Sequence, residues 1–158
     1  MSPSTDRPAA QTACACGRLR RASRALTQFY DDALAASGLR VTQYSLLRTL
    51  SREGTSRVTT IARTHLLDRT AMSRALDPLV ASGYVRIVPG RDARTREVSI
   101  TRKGAAALDR AASDWSRAQA VVAKRLGRDR FDALIATLHD LESLHPDAPD
   151  RPARKDES

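Results

Sequence analysis

The run Asp68-Arg69-Thr70-Ala71-Met72-Ser73-Arg74-Ala75-Leu76-Asp77-Pro78-Leu79-Val80-Ala81-Ser82-Gly83 decides the fold. Ala71, Met72, Ala75, Leu76, Leu79 and Val80 fall at i, i+1, i+4, i+5, i+8 and i+9, which is one apolar stripe of a helix. Asp68 stands where an N-cap belongs and Gly83 where a helix closes, so the spacing predicts a helix over 69–82. Pro78 lies inside the pattern and predicts a kink or a late tightening. The opposite face carries Arg69, Thr70, Ser73, Arg74 and Asp77.

The flanks give that helix its setting. Upstream, Thr59 or Thr60 is placed to cap a short helix through Ile61-Ala62-Arg63, and His65-Leu66-Leu67 turns the chain. Downstream, residues 84–88 (Tyr-Val-Arg-Ile-Val) and 97–100 (Glu-Val-Ser-Ile) read as two short strands. They are joined by Pro89-Gly90-Arg91-Asp92-Ala93-Arg94-Thr95-Arg96, whose Pro-Gly is turn chemistry. Thr101 then caps a long helix. Helix, turn, helix, arginine-tipped hairpin and helix together describe a winged helix-turn-helix, expected over residues 38–104. The fold class is therefore mainly α with a small β-hairpin wing, plus a helical dimerisation region.

Further helices lie outside this unit. One runs from about Ala13 to Ala36, with Leu19, Leu26, Phe29 and Ala33 at helical spacing and Ser37-Gly38 as its stop. A second begins near Thr42, a credible N-cap, with Tyr44, Leu46, Leu47 and Leu50 apolar, and ends at Arg52-Glu53-Gly54. The helix after Thr101 has a seam of Leu108, Ala111, Ala112, Trp115, Ala118, Val122 and Leu126. After Gly127 a last helix carries Phe131, Leu134, Ile135, Leu138, Leu141 and Leu144. Residues 12–37 and 105–145 form the expected dimerisation region. Proline-bearing residues 1–11 and 146–158 are expected to be disordered tails.

Composition narrows the partners. The 158 residues carry a formal net charge of +9, so an anionic partner fits, either nucleic acid or a membrane surface. The basic residues gather at the hairpin and in the first helix instead of facing a broad bulky apolar surface, which favours nucleic acid. No run approaches the ~20 apolar residues of a membrane span. The first residues show no basic head followed by an apolar stretch, so the expected location is the cytoplasm and no membrane partner is expected. Two cysteines are too few for a disulfide framework. His65, His139 and His145 have no metal-ligand spacing, and no cofactor is expected. Without a glycine-rich phosphate loop or nucleophile motif, the chain does not read as an enzyme.

The chemistry of the exposed residues fits double-stranded DNA. Arg69 and Arg74 can each donate two hydrogen bonds to a guanine edge or pair with phosphate. Thr70 and Ser73 can bond bases or backbone, and Ala71 can touch a thymine methyl. Asp68 belongs with them at the helix start. Arg91, Arg94 and Arg96 suit the negative potential of a narrow minor groove. Asp92 repels phosphate and is expected to brace the wing, by pairing with an arginine or accepting backbone N–H groups. The apolar seams of the outer helices call for a second copy of the chain. Two heads about one helical turn (~34 Å) apart would read a palindrome.

These segments, from Ile61-Ala62 through Leu67-Asp68-Arg69-Thr70-Ala71-Met72-Ser73-Arg74 to Gly83-Tyr84-Val85, resemble the reading unit of the MarR family of bacterial regulators. Arg91-Asp92-Ala93-Arg94 followed by Val98-Ser99-Ile100-Thr101-Arg102-Lys103-Gly104 is similar to that family's wing and the start of its fifth helix. Leu39 and Thr42-Gln43-Tyr44-Ser45-Leu46-Leu47 are similar to the start of its second helix. The resemblance spans residues 13–144. It implies a homodimer that represses, or less often activates, a promoter at a palindromic operator. It also implies release by a small aromatic or phenolic acid in a cleft that Cys16, Arg20, Tyr44, Leu47 and Trp115 would line. One branch of the family senses organic peroxides through a first-helix cysteine. Cys16 matches its position, fourteen residues before Tyr30, but Arg20 and Val41 replace two supporting tyrosines. A thiol or peroxide switch at Cys16 is thus one alternative, against a small buried residue there. Cys14, two residues away, is expected to face away from Cys16 on the helix and not to pair with it readily. An alternative of another class is a winged helix that grips protein without binding DNA.

Overall fold

A computed structural model describes residues 14–92 and 94–148. The chain order is α1 (Ala15–Leu34), a 3-10 turn (Ala35–Ser37), α2 (Val41–Glu53), β1 (Ser56–Arg57), α3 (Val58–Thr64), α4 (Arg69–Ala81), β2 (Val85–Pro89), β3 (Arg96–Ile100), α5 (Arg102–Leu126) and α6 (Arg128–Glu142). The strands form one antiparallel sheet in the order β1-β3-β2. This is the mainly α winged architecture expected from the sequence.

Several boundaries differ, each for a physical reason. The second helix begins at Val41, with Arg40 and not Thr42 at the N-cap. Asp31 of α1 reaches across to accept the Val41 N–H at 2.8 Å, and Gln43 Oε1 accepts the Arg40 N–H at 3.0 Å. Those two acceptors satisfy the first donors of the helix, so no threonine cap is needed. The third helix begins at Val58, ahead of Thr59 and Thr60, with no side-chain cap. The two-residue strand β1 pairs with β3 and hands the chain directly into this helix. Two residues are too few to carry a periodicity, so β1 has no signature in the sequence. The hairpin pairs Val85 with Ile100 and Pro89 with Arg96, one residue further along than Tyr84–Val88.

The core joins all these elements. Leu47, Leu50, Ile61, Met72, Leu76, Leu79 and Val98 are fully or almost fully buried, and Ala107, Leu108 and Ala111 of α5 share the same cluster. Met72, Leu76 and Leu79 are the deep side of the α4 stripe, and truncating any of them would cost about 2–5 kcal/mol. Val80, at the edge of the stripe, stays exposed. Asp68 caps α4 by accepting the Ala71 N–H at 2.7 Å, and Ser82 closes it. Leu66 takes a left-handed conformation (φ 51°) in the turn before α4. Thr101 caps α5, its hydroxyl accepting from Gly104 N–H at 3.0 Å and donating to Gly83 O at 2.7 Å.

The first helix is shorter than Ala13–Ala36, and Ala13 lies outside the described residues. So do residues 1–11 and 149–158 of the expected tails, and Ala93 of the wing. Residues 146–148 fold into a turn, with Ala148 N–H donating to His145 O at 3.0 Å. No helix among the described residues is long and apolar enough to cross a membrane.

Candidate nucleic-acid interface

Packing of Met72, Leu76 and Leu79 inward turns the polar side of α4 outward. Asp68, Arg69, Thr70, Ser73 and Arg74 are exposed and Ala71 is half-buried. Two of these groups are partly committed within the helix. The Asp68 carboxylate holds the Ala71 N–H, and the Ser73 hydroxyl donates to Arg69 O at 2.9 Å. Ser73 therefore offers a ligand an acceptor more readily than a donor.

The wing is held by Asp92 and Thr95. Asp92 Oδ1 accepts the Arg94 N–H at 3.0 Å, and Asp92 O accepts both the N–H and the hydroxyl of Thr95 at 2.8 Å. Gly90 N–H donates to Thr95 O at 2.9 Å, and a Cβ at Gly90 would run into the Thr95 hydroxyl. Asp92 thus contacts backbone and forms no ion pair among the described residues. Arg91, Arg94 and Arg96 are exposed.

Between α4 and the wing lies a cleft of ≈ 360 Å³. Arg69, Ser73 and Asp77 line it from one face of α4, at i, i+4 and i+8, and Arg94, Thr95 and Arg96 line it from the wing. Arg57 and Thr59, which no motif in the sequence singles out for this role, complete it from β1 and the start of α3. Thr70, Arg74 and Arg91 are not part of its lining.

A second cavity of ≈ 350 Å³ lies where α1, α2 and α5 meet. Tyr44 stacks on Trp115, centroids 5.6 Å apart at 19°, and the Arg48 guanidinium sits 4.7 Å from the Trp115 ring centre. Tyr30 donates its hydroxyl hydrogen to Gln119 on α5, and Thr49 and Arg52 also line the space. Burial raises the Tyr30 hydroxyl pKa above the ordinary phenol range. It does the same for Tyr44, where Arg48 partly offsets it. Both therefore stay protonated at neutral pH. Of the five residues expected to form an effector pocket, only Tyr44 and Trp115 meet here. Leu47 is fully buried in the core and does not line the cavity. Cys16 and Arg20 are exposed near the start of α1. Cys16 is about 21 Å along the helix from Tyr30 at 1.5 Å per residue. In the protomer the Cys16 side chain is exposed. Cys14 is the N-cap in extended conformation, outside the helix, so opposite helical faces do not separate the two thiols.

The histidines do not converge. His65 Nε2 lies 3.1 Å from Thr49 Oγ1, while His139 approaches Glu142 on α6.

Comparison with known proteins places this geometry. A family model described as MarR family matches residues 37–95. The DNA complex of the transcriptional regulator MosR of M. tuberculosis is 38% identical, with a TM-score of 0.75, over 84% of this chain and 98% of that one. The chain belongs to the MarR family. It is accordingly a DNA-binding transcriptional regulator and not an enzyme. The alternative of a winged helix that grips protein in place of DNA gives way to that membership. The transcriptional repressor CouR, bound to a 23-mer DNA duplex, is 26% identical with a TM-score of 0.75 over 85% of this chain and 96% of that one. A mutant MarR from E. coli complexed with operator DNA, 22% identical over 79% of this chain and 91% of that one with a TM-score of 0.72, shares the fold. No curated protein sequence matches the chain.

Proposed function

We propose that this MarR-family chain acts as a homodimeric repressor at a palindromic operator, and that a small aromatic acid in the Tyr44–Trp115 cavity releases it. Residues 38–104 serve as the DNA-binding part and residues 12–37 and 105–145 as the dimerisation part. The observation that carries this reading is the division of the surface. Arginines gather between α4 and the wing, while the apolar stripes at the other end lie uncovered in the protomer. No residue of α6 is buried, Ile135 is 50% exposed, and Val121 of α5 is 53% exposed. A second copy laid against these stripes would cover them and set two reading heads in two-fold relation.

In this arrangement α4 enters the major groove with Arg69, Thr70, Ala71, Ser73 and Arg74, Asp68 holding its first turn, and Arg91, Arg94 and Arg96 carry the wing toward the minor groove. The cavity supports an aromatic acid because it offers a stacked Tyr–Trp wall beside two guanidinium groups, Arg48 and Arg52. Selection of bound fragments from a random DNA pool tests the whole. The expected product is an inverted repeat with half-site centres about 10 base pairs apart. A recovered site without symmetry would overturn the dimeric palindrome reader.

A thiol switch at Cys16 is supported by one observation, the exposure of both free cysteines at the start of α1. Peroxide would take two electrons from Cys16, giving a sulfenic acid and water. Operator binding by Cys16→Ser before and after peroxide separates this reading from release by an aromatic acid. Loss of DNA by the oxidised variant excludes Cys16 as the sensor.

A further inference from the structure

One sugar–phosphate strand always separates a major groove from the minor groove beside it. A protein that sets a helix in one groove and a loop in the next must leave room for that strand. In this molecule the room is the cleft between α4 and the wing. Its lining is strongly cationic, with Arg57, Arg69, Arg94 and Arg96 against the single carboxylate of Asp77. Arg57 stands out among them. It lies on β1 directly opposite Glu97 of β3 in the sheet register, where a cross-strand ion pair would ordinarily neutralise both. No such pair forms, and among the described residues the exposed Arg57 side chain has no ionic partner.

We propose that this cleft seats one phosphodiester strand and that Arg57 is a phosphate contact, sharing the backbone with Arg69 and Arg94. The assignment rests on the proposed placement of α4 and the wing in adjacent grooves. Arg69 then positions the protein on the duplex, and Arg74, outside the cleft, is left free to face bases. Asp77 lies two turns from Arg69, about 12 Å along α4. Its charge repels phosphate and so marks where the seat ends.

Salt dependence tests the assignment in the full-length chain. Arg57→Gln and Arg57→Lys are titrated with a selected duplex and a scrambled one at about 50–200 mM salt. The expected result for Arg57→Gln is the same fold-loss of affinity on both duplexes. The slope of log K against log salt becomes shallower by about 1, and Arg57→Lys keeps the wild-type slope. Circular dichroism checks that each variant is folded. Should Arg57→Gln not fold, single methylphosphonate substitutions along the duplex, read with wild type and Arg57→Lys, take its place. Weakened binding on neutralising a phosphate between the two grooves supports the seat, and a flat scan overturns it. Wild-type binding with a slope unchanged in folded Arg57→Gln overturns this assignment alone. A wild-type chain with no salt-dependent affinity for any duplex overturns the placement beneath it.

Discussion

The Asp31 carboxylate of α1 accepts the backbone N–H of Val41, the first residue of α2, at 2.8 Å. Its other oxygen pairs with the Arg40 guanidinium at 2.9 Å, and the Asp31 side chain is only 11% exposed. One residue therefore caps a helix ten positions away and fixes where the reading lobe meets α1. Asp31→Ala leaves that N–H without its partner and is expected to destabilise the fold by about 1–2 kcal/mol. Thermal melts at fixed protein concentration check this, with Asp32→Ala as the comparison. Among the described residues, the Asp32 side chain bonds only to the exposed Gln28 side chain. An equal effect of the two substitutions would refute the capping role.

Gly104 joins α5 to the sheet. A Cβ there would penetrate the Tyr84 carbonyl and press the Ile100 side chain at 3.0 Å. Backbone on one side and a packed strand on the other leave little scope for relief. Gly104→Ala is expected to destabilise by about 1–3 kcal/mol. Gly17→Ala, on the exposed start of α1 and in ordinary contact with Cys14, is expected to stabilise by up to about 1 kcal/mol. Opposite signs in denaturant unfolding are the signature to look for.

Local and distant determinants differ in how far the sequence reveals them. The α4 stripe, the Asp68 cap, the Thr101 cap and the wing are legible because each is set by residues within a few positions of one another. The cap on Val41 is not, because Asp31 belongs to another helix. Nor is Arg57, whose role depends on a two-residue strand pairing with β3. In the second cavity, Leu47 matches the expected lining only in being apolar and near Tyr44. The spacing of Tyr44, Arg48 and Arg52 is the better guide, since those three share one helix face. Cys16 and Arg20 enter the expected pocket through family likeness alone, and in the protomer α1 carries them far from Trp115.

His65 gives the fold a pH dependence. Burial pushes its pKa below the ordinary histidine value of 6.5, with Glu53 acting in the other direction. The folded state therefore binds fewer protons than the unfolded state as acid is added. Stability is unaffected well above pH 6.5, falls as pH drops through 6.5 toward the lower folded value, and levels off below it. His65→Gln keeps a polar group beside Thr49 without a charge to gain. Melting temperatures should decline less in the variant than in wild type between about pH 7 and 5.5. Parallel curves would exclude His65 as the titrating group.

Trp115 is the sole tryptophan, and it reports on the second cavity. Benzoate entering beside Tyr44 should change its emission in a saturable way. A carboxylate held by Arg48 gains a charge-assisted hydrogen bond worth about 1.5–3 kcal/mol. Arg48→Gln should then weaken benzoate binding roughly tenfold or more. It should also shift the emission of the free protein, because the guanidinium leaves the indole face. If neither Arg48→Gln nor Arg52→Gln alters the titration, an acid does not bind through these guanidinium groups.

Arg74 and Arg94 should separate two kinds of DNA contact. Both are exposed, but Arg94 lines the cleft and Arg74 does not. Arg94 is placed by its own N–H on Asp92, which aims the wing without contacting the guanidinium. Its loss should weaken selected and random duplexes by the same factor and flatten the salt slope. Arg74→Ala should remove a contact to a base edge, costing about 1–3 kcal/mol on the selected site and much less on random DNA. The informative quantity is the ratio of the two affinities. Arg94→Ala should leave it near the wild-type value, and Arg74→Ala should lower it. If Arg74→Ala preserves the ratio while weakening both duplexes, Arg74 holds backbone, and the reading of bases passes to Thr70, Ala71 and Ser73.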